Sequence, residues 1–217
     1  KKAEKMLQPG FRALFYGPPG TGKSLTAGLV GKETDKLVFR VDLSKVISKY
    51  IGETEKNLAN IFDQAQYNDW ILFFDEADAL FGKRVKANDA KDRYANQEVA
   101  YLLQRIENYG GVVILASNQT TNLDKAFARR FQAAIQFPKP GLYERRTLWR
   151  NTFEGFPFDT NDTTADKQID IWHELAEQHN LTGANIQNIL RKSLLIAHRD
   201  NEGKLKKQHI DDSIKQE

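Results

Sequence analysis

An α/β fold, with a parallel five-stranded sheet flanked by helices and a smaller all-helical remainder, is what this sequence predicts. Three observations predict it. Short runs rich in apolar, β-branched and aromatic residues alternate with helical periodicity from Phe11 to Phe137. Two of those runs, Trp70 to Phe74 and Val112 to Ala116, are apolar almost throughout, as strands buried on both faces are. After Pro138-Lys139-Pro140 only helical periodicity remains. Strands that alternate with helices form right-handed parallel units. The expected division is therefore residues 1–138 and residues 139–217.

The elements follow in order. The first ten residues read as a basic helix or tail ending at Pro9-Gly10. Phe11 to Tyr16 is the first strand, and a Gly/Pro-rich loop follows it. Ser24 to Lys32 has helical spacing, with Leu25, Leu29 and Val30 on one side. Leu37 to Val41 is β-branched and aromatic enough for a strand. Glu55 to Gln66 places Leu58, Ile61, Phe62 and Ala65 on one helical stripe. Trp70 to Phe74 is the next strand, and the charged, aperiodic run Lys83 to Ala95 predicts an exposed loop. A helix over Gln97 to Asn108, a strand over Val112 to Ala116, a short helix over Leu123 to Arg130 and a strand over Ala134 to Phe137 complete the first part. In the second part, Leu142 to Phe153, Ile169 to His179 and Thr182 to Arg199 read as helices, with a tail helix from Gln208.

Composition narrows the function classes. The chain has 217 residues and no cysteine, which excludes a disulfide framework and thiolate metal sites and fits a reducing, cytoplasmic setting. Its net charge of +3 is scattered, which argues against a nucleic-acid surface. No apolar run approaches the roughly 20 residues of a membrane span. Beginning at Lys1 rather than methionine, the sequence reads as a piece of a longer protein.

Gly17-Pro18-Pro19-Gly20-Thr21-Gly22-Lys23-Ser24 fits G-x-x-x-x-G-K-[ST], after a predicted strand and at a helix start. The glycines let backbone N–H groups converge on phosphate oxygens, and the helix N-terminus points positive charge at the same anion. Lys23 is a compact cation for β- and γ-phosphates, and the Ser24 hydroxyl is a hard oxygen ligand for Mg²⁺. Ile71-Leu72-Phe73-Phe74-Asp75-Glu76 delivers two carboxylates at a strand's C-terminal end, where ligands bind in open parallel sheets. Asp75 suits the Mg²⁺ shell, and Glu76 suits the orientation of an attacking water.

GPPGTGKS followed by FFDEADALF resembles the AAA+ superfamily of P-loop ATPases, and more narrowly its classical AAA clade, from about Pro9 to about His198. The resemblance implies ATP and Mg²⁺ as cofactors, a nucleotide-binding segment running from Gly17 through Leu25, and a C-terminal helical lid. Asn118 then matches the polar sensor residue, although Asn also ends strands in turns. Arg129-Arg130-Phe131 resembles the arginine-finger segment, which reaches a neighbouring subunit's nucleotide; a basic helix end favoured by the helix dipole is the plainer alternative. Tyr50-Ile51-Gly52 resembles the aromatic loop that lines the central pore, against the alternative of a hydrophobic staple. Gly183 and Ala184 match the clade's variant of the second sensor, where Thr182 also explains the segment as an N-cap. Leu102-Leu103 through Glu107 matches a segment used for signalling between subunits, and reads equally well as a core helix.

The expected function is thus ATP hydrolysis in a homo-oligomeric, hexameric ring that remodels or threads a protein partner. A clamp-loader or helicase-like machine and a nucleotide-gated scaffold are the rivals. The runs Asp75 to Arg84, Tyr94 to Glu98 and Tyr101 to Arg105 look like bacterial ATPases, some encoded with phage-tail-like contractile injection systems. His173-Glu174 begins like a zinc motif, but Glu177 stands where its second histidine belongs, and His179 falls on another face.

Overall fold

A computed structural model describes residues 10–43, 53–80, 90–118, 129–157, 171–200 and 203–217. The chain divides into two compact units. The first comprises Lys1–Pro18 and Lys23–Phe137, and the second comprises Pro19–Gly22 and Pro138–Glu217.

The first unit is built on five parallel strands: β1 (Phe11–Tyr16), β2 (Val38–Asp42), β3 (Ile71–Asp75), β4 (Val112–Ser117) and β5 (Ala133–Gln136). Their spatial order is β2-β3-β4-β1-β5. β1 lies between β4 and β5, with Ala13 opposite both Ile114 of β4 and Ala133 of β5. Alternation along the strands sends side chains to two faces. Leu14, Leu72, Phe74 and Leu115 join one buried cluster with Leu58, Phe62, Leu102 and Ile106. Phe15, Ile71, Phe73 and Ile114 join another with Ala27. The first cluster is thus closed by α2 (Glu53–Asn68) and α3 (Ala90–Asn108), and the second by α1 (Lys23–Thr34).

Two sequence expectations need correction. Leu25 and Leu29 do not form the buried side of α1; they are 68% and 49% exposed. That helix instead buries Ala27 and Gly31. A Cβ on Gly31 would strike Val38 of β2, so small residues set the approach of helix to sheet. The charged run Lys83 to Ala95 is also not wholly loop, because α3 starts at Ala90. Ala, Lys and Arg favour helix without needing an apolar stripe. Among the described residues, the other expected strands and helices begin and end within a few residues of the sequence reading, whereas the expected N-terminal helix or tail and the helix over Leu123 to Arg130 lie almost entirely outside the described residues. β5 is mostly exposed, as an edge strand can be.

Among its described residues, the second unit holds four helices: α4 (Leu142–Phe153), α5 (Ile171–Gln178), α6 (Gly183–Arg199) and α7 (Lys207–Ile214). Trp149, Phe153, Leu175, Ile186, Ile189 and Ile210 form its core. The α6 start is fixed by Asn185, whose Oδ1 accepts from the Thr182 N–H at 3.1 Å and from the Thr182 hydroxyl at 2.6 Å. Thr182 thus stands at the N-cap, and the N3 side chain reaches back to its backbone as in a capping box.

Candidate active site

Parallel strands bring the candidate groups of the first unit to one edge of the sheet. The loop leaves β1 at Tyr16, the acidic pair ends β3, and Asn118 follows β4. Gly17 takes φ +148, and a Cβ there would collide with the Phe137 carbonyl. Its N–H donates to the Ser117 carbonyl at 3.1 Å, which ties the loop's first residue to β4. Only glycine tolerates this close approach of backbones.

Lys23 is 7% exposed. Its ammonium donates three hydrogen bonds: to the Gly17 carbonyl at 2.7 Å, the Pro18 carbonyl at 2.8 Å and Asn118 Oδ1 at 3.0 Å. All three ammonium donors are thereby used. Burial lowers the Lys23 pKa from its ordinary value of 10.5, while the charges of Asp75 and Asp78 pull it back up. The cation is thus held where only acceptors meet it, and a phosphate oxygen is the natural replacement for those carbonyls.

Asp75 divides its two oxygens. Oδ1 accepts from the Glu76 N–H at 3.0 Å. Oδ2 accepts from the Ser24 hydroxyl at 3.4 Å and pairs with Arg40 Nη2 at 2.7 Å. Glu76 is exposed and takes φ +54, a left-handed conformation uncommon for a residue with a Cβ. Strain of this kind is retained where surrounding structure imposes it, often at functional sites. Ser24 and Asp75 fit a magnesium ion. They offer one hydroxyl and one carboxylate oxygen facing each other, the hard oxygen donors that Mg²⁺ takes. No group of three or more His, Asp or Glu side chains among the described residues forms a protein-only metal cage.

Two residues here escaped the sequence reading. Asp78, in the 3-10 turn Ala77–Leu80, accepts from the Ser117 hydroxyl at 2.5 Å and from the Asn118 N–H at 3.0 Å. It fixes the end of β4, and thereby Asn118. Arg40 projects from β2 onto Asp75. Asp78 could have been found as a third acid in the same short run. Arg40 had only its charge within an apolar strand to mark it.

Arg129 and Arg130 lie elsewhere, just before β5. Both are exposed. Arg130 pairs with Glu107 at 2.8 Å, and the buried Arg12 donates to the Glu107 carbonyl at 2.7 Å. Together these residues help line a cavity of about 590 Å³. In the second unit, Gly20 takes φ +75, and its carbonyl accepts from the Ala184 N–H at 3.3 Å. A Cβ on Gly20 would run into the Thr182 hydroxyl. Gly183 and Ala184 therefore stand against the loop tip Pro19–Gly22. Tyr50, Ile51 and Gly52 lie outside the described residues.

Residues 13–139 match the family described as ATPase family associated with various cellular activities, AAA. Cell division protein C of Sulfolobus acidocaldarius is 40% identical over 62% of this chain and 38% of its own length. The 26S proteasome regulatory subunit 6B homolog of Dictyostelium discoideum is 31% identical over 90% of this chain and 48% of its own. Human vacuolar protein sorting-associated protein 4A is 35% identical over 84% of this chain and 41% of its own. This chain belongs to the AAA family, and it spans less than half the length of each of these three relatives. Among the described residues, no helix is long and apolar enough to cross a membrane.

Proposed function

We propose that this chain is the catalytic part of a magnesium-dependent ATPase that works in a hexameric ring in the cytoplasm and remodels or threads a protein partner. The observation that carries the reading is the convergence of Lys23, Ser24, Asp75 and Asn118 at the C-terminal ends of β1, β3 and β4. In this reading residues 1–138 form the large subdomain and residues 139–217 the lid.

ATP is the substrate. Its polyphosphate lies in the Gly17–Ser24 loop, and Lys23 exchanges its carbonyl partners for β- and γ-phosphate oxygens. Leu25, Gly183 and Ala184 complete the nucleotide contacts. Ser24 and Asp75 would hold Mg²⁺, which would supply neutralisation of the phosphate charge. Glu76 orients a water and takes its proton as the water oxygen bonds to the γ-phosphorus. The bond to the bridging oxygen breaks, and its electrons leave with ADP. The Asn118 amide touches the γ-phosphate or the attacking water.

Arg129 and Arg130 act on the neighbour's nucleotide. Their position supports this. β1 and β5 run parallel with Ala13 opposite Ala133, and both arginines precede that level. The phosphate loop begins four residues beyond it, roughly 13 Å along the strand. The arginines of one copy thus stand at the opposite end of the sheet from that copy's own loop. The proteasomal relatives and the Tyr50-Ile51-Gly52 segment favour a protein as the partner, and the scattered charge speaks against nucleic acid. The likeness to ATPases of contractile injection systems makes a tail or sheath component one candidate.

The test is ATPase rate against protein concentration, in a chain with its natural flanking regions. Specific activity should rise as copies associate, and Glu76→Gln should abolish turnover at every concentration. Full specific activity in a strictly monomeric preparation would refute the ring.

A further inference from the structure

Asp75 has a resident counter-ion. Arg40 sits on the edge strand β2, where the register places it opposite Phe73 and places Asp42 opposite Asp75. Its side chain runs forward over that two-residue offset, and Nη2 reaches Asp75 Oδ2 at 2.7 Å. The two partners differ in exposure: the Arg40 side chain is 64% exposed and that of Asp75 is 15% exposed. A half-solvated cation therefore reaches in to a largely buried carboxylate. Withdrawing the arginine costs little because water receives it, whereas the carboxylate left behind needs another positive partner. Lys23 does not fill that role at contact distance, since its donors go to Gly17, Pro18 and Asn118.

The oxygen that Arg40 holds is the decisive detail. Oδ1 is tied to the Glu76 N–H, so Oδ2 is the oxygen that faces Ser24 and would serve the magnesium shell. Arg40 neutralises that same oxygen. We infer that Arg40 is a positioning residue that keeps Asp75 aimed at Ser24 in the empty site and competes with magnesium for Oδ2, so that it sets the magnesium concentration at which nucleotide binds productively. The inference rests on the reading of Asp75 as part of the magnesium shell. Its physical content is an exchange of cations: the arginine retreats to solvent as the metal arrives with the phosphates. An arginine suits this because its long stem leaves without moving the strand.

Binding of a fluorescent ATP analogue, titrated with magnesium chloride, tests this without relying on turnover. Arg40→Gln should lower the magnesium midpoint by about three- to fivefold, the scale on which a partly exposed ion pair shifts an equilibrium. Binding in excess EDTA should stay unchanged, and Arg40→Lys should restore the original midpoint. Asp75→Asn should remove the magnesium dependence whichever residue stands at position 40. If Arg40→Gln leaves the midpoint unchanged or raises it while Asp75→Asn still removes the dependence, the arginine's role is refuted and the site reading survives. Loss of binding in EDTA on Arg40→Gln would make Arg40 a phosphate contact and equally overturn the exchange. If Asp75→Asn changes nothing, the site reading falls, and the inference falls with it. Arg40 is largely in solvent on an edge strand, so Arg40→Gln should fold, and the lysine variant provides a second check.

Discussion

At the scale of single residues, Glu76 shows a conflict between stability and chemistry. Its backbone is left-handed at φ +54, where a Cβ crowds the following carbonyl. Its N–H is spent on Oδ1 of the preceding residue, Asp75. The turn from β3 into Ala77–Leu80 thus keeps a carboxylate at a position that glycine would occupy more comfortably. Replacing Glu76 with Gly should therefore stabilise the nucleotide-free protein by about 1 kcal/mol and also remove the proposed base. Chemical denaturation of the variant should show a raised midpoint with an unchanged slope, and its ATPase should fall by at least about 100-fold. A variant less stable than the parent would mean that the side chain makes contacts worth more than the strain. The same logic separates residues legible in the sequence from those that were not. Lys23, Ser24 and Asp75 sit in a spacing that chemistry requires, so a linear reading finds them. Arg40 meets Asp75 only because two strands 33 residues apart in sequence, Arg40 opposite Phe73, lie in register.

At the scale of elements, the sheet was legible and the face of α1 was not. Continuous apolar runs identify strands buried on both sides, because both faces of β3 and β4 need covering. Helix α1 carries no such signal. Its leucines face solvent while Ala27 and Gly31 are buried and Val30 packs beside them, so close backbone approach makes much of the contact. A periodicity count groups Leu25 and Leu29 with Val30, but of the three it is Val30 that packs against the sheet cluster. Close packing at Gly31 gives a prediction. A Cβ there would meet Val38 and lie 2.8 Å from the Lys36 carbonyl, so Gly31→Val forces α1 away from β2. That should cost about 1–3 kcal/mol of stability, the usual penalty of overpacking, despite valine's greater apolar bulk. It should also weaken nucleotide binding, because α1 begins at Lys23. Thermal unfolding with and without ATP checks both. The missed start of α3 has a different cause: residues 90–95 are helical by propensity, with no apolar stripe to announce them.

At the scale of the whole molecule, the decisive question is whether one chain contains a complete site. The phosphate loop and the acidic pair lie at one end of the parallel strands, and Arg129 and Arg130 precede the other end of β5. If the arginines serve a neighbour, the contact is head to tail, and repetition around an axis closes a ring. Such a contact allows a test that no solitary enzyme can pass. The double variant Arg129→Ala/Arg130→Ala keeps Glu76 but offers nothing to its neighbour. The variant Glu76→Gln offers its arginines but cannot activate water. Each alone should be nearly inactive, since an arginine supplied in trans is worth roughly 10³–10⁵ in rate. When equal amounts are mixed and allowed to exchange subunits, an interface works only if an intact Glu76 meets an intact arginine pair. Random closed assembly makes that true of roughly one interface in four. The mixture should therefore recover up to about that fraction of wild-type turnover, although neither component has turnover to contribute. Complementation of this kind requires the two halves of the site to reside on different chains. A mixture as inactive as its parts, under conditions where exchange is demonstrated by labelled subunits, would place Arg129 and Arg130 outside the catalytic machinery and leave Glu107 as the partner that explains Arg130.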